Sequence, residues 1–273
     1  MILTEFGTDL MRYRDLLRVL VERDFRARYR ASILGWAWSV MNPLLTTVVL
    51  AFVFSTIFKQ VPPVGANTGN DVYLFFLLSC ITPWTFFAAA LNSGMTSIVG
   101  ASNLVGKINF PRYIVVIAAV SAVAVSLAIE LGLIIIATTI VGFTPIAQLP
   151  SIIGIAILWM LFAWGLALLF ASLYVRYRDV QYIVTIMISL WFYLTPVLYP
   201  PSLIPERYAH LPLRRLLSFN PAAWFLRSFR SALYDGASPP AYLWLIMVLA
   251  AGASLLIGLR VFGRRSPYFA EDL

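Results

Sequence analysis

Six stretches of this chain are nearly free of charge, and they constrain its fold more than any other feature. They cover residues 34–58, 72–91, 114–141, 149–173, 180–199 and 241–259. Each is long enough to cross a hydrocarbon core ~30 Å thick as a helix. In lipid every backbone N–H and C=O needs an internal partner, so a spanning segment is either helical or part of a closed barrel. A barrel requires alternating strands of about ten residues, and no such alternation is seen. The reading is an all-α polytopic membrane protein with six transmembrane helices. Residues 1–33 form a cytoplasmic amphipathic segment, and residues 34–273 form the six-helix domain. The composition agrees, with 61% hydrophobic and only 12% charged residues.

Arginine and lysine set the expected orientation. The segment before the first span holds seven Arg. The second-to-third loop holds Lys107 and Arg112, and the fourth-to-fifth turn holds Arg176 and Arg178. The tail holds Arg260, Arg264 and Arg265, whereas the opposite short loops hold only Lys59. The positive-inside rule then places both termini in the cytoplasm. Residues 200–240 break the pattern, because they should face outward yet carry Arg207, Arg214, Arg215, Arg227 and Arg230. A net charge of +8 raises the question of nucleic acid. Basic residues at span ends suit anionic headgroups instead. The first 33 residues are charged throughout and lack the apolar core of a cleavable signal peptide.

Along the chain, residues 10–29 alternate apolar and basic positions at helical spacing, which predicts a helix lying in the membrane interface. Asn42-Pro43 is expected to interrupt the first span, and Pro83 to break the second. Cys80 stands alone, so no intrachain disulfide is possible, and it is read as a packing residue. Glu130 is the only acid deep in a span. An acid at that depth is a candidate proton or ion site, but no basic partner occurs at membrane depth and the structural reading is preferred. Ala118, Ala122, Ser126 and Glu130 recur every fourth residue and predict a close helix contact. After the fifth span, Asn220 as cap and Pro221 at the first position predict a short helix ending near Gly236. With its apolar face of Ala222, Phe225, Leu226, Phe229 and Leu233 it should dip into the outer surface.

Residues 97–112, SIVGASNLVGKINFPR, look built to meet a partner: Asn103, Lys107, Asn109 and Arg112 stand before or within a proline stop. A plain solvated loop is the other reading of the same residues. Catalytic motifs fail. Gly106-Lys107 resembles a phosphate loop, but Ala101 and Ile108 occupy positions that need Gly and Ser or Thr. His210 is the only histidine, which excludes a multi-histidine metal site.

Taken in order, these segments resemble the membrane-spanning subunit of type-2 ABC exporters that carry polysaccharides on a lipid. The resemblance rests on residues 24–30 (DFRARYR), Leu34-Gly35, Asn42-Pro43-Leu44, Asn103-Leu104-Val105, Lys107 and Phe110-Pro111-Arg112. It continues through residues 175–180 (VRYRDV), residues 191–200 (WFYLTPVLYP), Phe219-Asn220-Pro221 and Phe229-Arg230. It implies a permease homodimer with two separate ATPase subunits, in the cytoplasmic (inner) membrane, exporting a lipid-linked glycan such as O-antigen. ATP and magnesium would then belong to the partner, with no cofactor in this chain. The implied coupling residues are Asn103, Lys107, Phe110, Pro111, Arg112, Arg176, Arg178 and Asp179. Sugars stack on aromatic faces, so Trp36, Trp38, Phe87, Trp191, Tyr193 and Tyr199 are the candidate channel aromatics. Asn220, Pro221, Arg227 and Arg230 are the candidate outer gate. Export of other lipids or of drugs by a related ABC permease is the alternative. An ion-coupled secondary transporter would need more than Glu130 and usually an internal repeat, which is not detected.

Overall fold

A computed structural model describes residues 2–28, 30, 32–102, 110–198 and 219–269. Asn103, Lys107, Tyr199, Arg207, His210, Arg214 and Arg215 lie outside them. Among the described residues every regular element is a helix. Two short helices, α1 (Ile2–Arg12) and α2 (Arg14–Arg28), precede α3 (Ala37–Phe52), which ends in a π-turn over Val53–Ile57. Then come α4 (Tyr73–Gly100), α5 (Tyr113–Ile140), α6 (Leu149–Tyr174) and α7 (Val180–Leu194). The short α8 (Pro221–Leu233) and the long α9 (Ala241–Arg265) complete the order.

Five helical segments are long and apolar enough to cross a membrane: Ala37–Ile57, Tyr73–Gly100, Tyr113–Ile140, Ile146–Tyr174 and Ala241–Tyr268. The expected span at 180–199 is shorter than predicted. Its helix stops at Leu194 after 15 residues, about 22 Å. The cause is Pro196, which disfavours the helical region for the residue before it. Thr195 is accordingly extended, with φ −103° and ψ 135°.

The other prolines behave differently from expectation. Pro43 and Pro83 both lie inside unbroken helices. The Pro83 carbonyl accepts the indole N–H of Trp159 at 2.9 Å, and the Pro43 carbonyl accepts the Thr47 hydroxyl at 2.6 Å. These bonds brace the helices beside the prolines; the carbonyls the prolines themselves free are those of Ser39 and Ser79, one turn earlier. α4 also runs nine residues past the predicted limit at Leu91, so residues 97–100 are helix and not loop.

The core lies along α4, α5 and α6. α3 clings to the outside, with only Pro43 and Thr47 buried, whereas most of α4 is buried. The α6–α9 crossing is closed by glycines. A Cβ on Gly258 would stand 2.2 Å from the Gly165 carbonyl oxygen, and one on Gly165 would stand 2.2 Å from the Ser254 backbone. The Ser254 hydroxyl donates to the Phe162 carbonyl across the same contact at 2.9 Å. Small residues allow such backbone approach in membranes, where lipid tails remove the hydrophobic drive between helices. The predicted line of Ala118, Ala122, Ser126 and Glu130 is buried along its length.

The N-terminal segment is two helices joined at Tyr13, and α2 packs along α5 with Leu20 buried. Cys80 is fully buried, its sulfur 3.5 Å from the Leu226 carbonyl.

Candidate functional site

The basic ends of the helices meet on one small turn. The chain after α9 closes into a 3-10 turn, Ser266–Tyr268, held by Phe269 packed edge-on against Phe262 at 5.2 Å. The Arg112 guanidinium, at the start of α5, donates to the Ser266 carbonyl. Arg176, at the end of α6, lines a cavity of about 70 Å³ with Ser172, Arg265, Tyr268 and Phe269. The first predicted coupling loop and the second predicted turn are thus brought together by the C-terminal turn. Sequence reading missed that turn, because no local signal ties Ser266 to Arg112 across 154 positions.

The neighbouring contacts fix these groups. Phe110 is buried, while Pro111 and Arg112 are half-buried. Tyr113 donates its hydroxyl to Asp9 of α1 at 2.5 Å, and Phe6 packs on the same ring at 5.5 Å. Arg178 stacks over Tyr174 at 5.2 Å and Arg176 over Tyr177 at 5.5 Å, both within cation–π range. Asp179 stands at the N-cap of α7 without a side-chain cap bond. Arg112, Arg176 and Arg265 therefore stand around the C-terminal turn, with Arg178 over the Tyr174 ring.

At the other end, Asn220 caps α8. Its Oδ1 accepts the Ala222 N–H at 3.0 Å, as the sequence predicts, and also the Trp191 indole N–H at 2.7 Å. Its Nδ2 donates to the Thr195 hydroxyl at 2.8 Å. One side chain therefore joins the end of α7 to the start of α8. Pro221 occupies the first turn, and the predicted apolar face from Ala222 to Leu233 is buried.

Arg227 is exposed, but Arg230 turns inward. Its guanidinium lies 4.0 Å over the Phe76 ring and donates to the Val197 carbonyl at 2.6 Å and the Pro196 carbonyl at 3.3 Å. Of the two arginines expected at the outer gate, only Arg227 is exposed, and Arg230 is bonded within the bundle. The far end of α8 is held by the 59–71 loop. Thr68 donates to the Tyr234 carbonyl at 2.6 Å and Tyr234 donates to the Pro63 carbonyl at 2.8 Å.

The aromatic candidates divide by exposure. Phe87 is fully buried, stacked on Trp159 at 4.5 Å and edge-on to Trp191 at 5.5 Å. Trp191 is half-buried beside it. Trp36, Trp38 and Tyr193 are exposed, at 54%, 47% and 69%. Trp159, Phe162 and Phe225 extend the same buried cluster, and sequence reading had no means to separate them from lipid-facing rings. No group of three or more His, Cys, Asp or Glu residues suited to a metal ion occurs among the described residues.

The architecture is that of a multi-pass helical membrane protein with a basic end. The family model for ABC-2 type transporters matches residues 15–234, and the chain belongs to that family. It is a multi-pass inner-membrane permease and not itself an enzyme. Its relatives include two proteins of Klebsiella pneumoniae described as O-antigen export system permease protein RfbA. They are 29% and 28% identical over 261 residues, 95% of this chain and 95% of each relative. A Myxococcus xanthus protein of the same description is 29% identical over 267 residues, 97% of this chain and 98% of its own.

Proposed function

We propose that this chain is the permease of an ATP-driven exporter that carries a lipid-linked polysaccharide, such as O-antigen, across the cytoplasmic membrane. The observation that carries the reading is the nearly end-to-end similarity to O-antigen export permeases. Two copies form the channel, and two separate ATPase subunits drive it. The chain divides at residue 33 into an interface segment and a transmembrane domain of six crossings, with α7 and the residues after it making the fifth. Both termini lie in the cytoplasm, which the clustering of Arg at the two chain ends supports.

In this mechanism the ATPase grips Asn103, Lys107, Phe110, Pro111, Arg112, Arg176, Arg178 and Asp179. The bond of Arg112 to the C-terminal turn, and the cavity that Arg176 lines beside the same turn, support their moving as one unit. Exposed Trp36, Trp38 and Tyr193 offer faces on which sugar rings slide. Asn220 and Pro221 hold the outer helix α8 in place, re-entrant beside the exit, with Arg227 toward the outside. Copurification with the ATPase, followed by mass spectrometry of the bound lipid, tests the reading. A lipid-linked glycan supports it, and a drug-like cargo with no lipid-linked glycan overturns it.

A further inference from the structure

A cleft of about 270 Å³ opens between α3 and the α4–α5 pair, with Arg28, Trp38, Asn42, Thr46, Ala89 and Glu130 among its walls. Glu130 is 8% exposed, and its Oε2 has no hydrogen-bond partner among the described residues. Ionised in that state the carboxylate is costly, so it stays charged only where a cation reaches it and is otherwise protonated. Arg28 is exposed and anchored by Nη2 donating to the Ser93 hydroxyl at 2.9 Å, which leaves other N–H groups of its fork for a second partner.

The two charges are spaced along the bundle. The Cβ position of Gly94, next to Ser93, lies 2.9 Å from Val120 Cγ2, so Arg28 sits near the level of Val120. Glu130 is ten positions further along α5, a rise of about 15 Å. Helical side chains lean toward the N-terminus, so the carboxyl reaches back toward Arg28. We propose that this cleft holds the headgroup of a membrane phospholipid bearing a protonated amine, its phosphate on Arg28 and its ammonium on Glu130. Trp38 adds an indole face, the aromatic surface that best attracts an ammonium. The outward side of α3 carries exposed Leu44, Leu45, Val48 and Val49, along which acyl chains can lie, and this favours a lipid over a soluble amine. The inference does not rest on the identity of the exported cargo.

The full-length protein in mild detergent, given equal phosphatidylethanolamine and phosphatidylglycerol, tests it by native mass spectrometry. The wild type retains the ethanolamine lipid in preference. Glu130→Gln lowers that preference about tenfold, the scale of one charge-assisted contact. Arg28→Gln weakens retention of both lipids. Ala89→Leu fills the cleft without changing charge and loses the ethanolamine lipid, with the lipid-free melting temperature as a check on folding. Equal retention of both lipids by the wild type overturns the proposal. So does an unchanged ratio in Glu130→Gln or Ala89→Leu.

Discussion

Trp191 donates its indole N–H to Asn220 Oδ1 at 2.7 Å, and that bond ties the last full turn of α7 to the cap of α8. The same oxygen caps α8 through Ala222, and the amide nitrogen holds Thr195 where the chain leaves helix. Asn220→Ala removes the cap and strands the indole N–H, at an expected cost of about 2 kcal/mol. Asn220→Ser keeps a capping oxygen and costs less. Thermal melts in detergent should rank wild type above Ser above Ala. Equal melts for all three would show that the junction holds without this side chain.

The α6–α9 crossing gives a second prediction. Gly258→Ala places a methyl 2.2 Å from the Gly165 carbonyl, so the helices must part. Overpacking of this kind costs about 1–3 kcal/mol. Gly132 has nothing within 4 Å of its Cβ position, so Gly132→Ala is neutral or gains about 0.5 kcal/mol from helix propensity. Melting temperature and yield of folded protein compare the two directly.

Arg230 and Arg227 lie three positions apart on α8 and differ in role. Arg230→Lys keeps the charge but loses the planar fork on Val197 and Pro196 and weakens the stack on Phe76, so stability and export both fall. Arg227→Lys leaves stability unchanged, because that side chain is exposed. If Arg230→Lys melts like the wild type, the inward guanidinium is not structural.

Five of the six predicted spans were legible in sequence because lipid excludes charge, and charge-free runs are easy to see. Their ends were not. α4 continues past Leu91 because its polar residues bond to their own helix: Asn92 donates to the Ala88 carbonyl, Thr96 to that of Asn92 and Ser97 to that of Gly94. Polarity there marks helix surface, not helix end. The cap at Asn220 was legible because capping is local. The inward turn of Arg230 was not, since its carbonyl partners lie more than thirty positions away. The same holds for the bond from the Trp159 indole to the Pro83 carbonyl, 76 positions away.

Orientation is tested by a single cysteine at Ser238, in a background with Cys80 replaced by Ala. Ser238 is exposed and hydrogen-bonded to Gln148 and Ser151 at the end opposite the basic turn. An impermeant thiol reagent should label it in intact spheroplasts. Labelling only after the membrane is opened would invert the topology.

Coupling through the basic end predicts that Lys107→Glu with Arg112→Glu separates ATP hydrolysis from transport. Membrane insertion should be normal, and ATPase activity of the complex should persist while export falls at least about tenfold. Normal export by the double variant would reduce residues 103–112 to a connector.

The most direct measurement of the central claim is surface glycan in a strain deleted for its own export permease and supplied with this chain and its ATPase. The account predicts restored O-antigen-type polysaccharide at the cell surface, dependent on both subunits and lost when the ATPase is inactive. Lipid-linked glycan that still accumulates inside, with both subunits present and assembled, would contradict it.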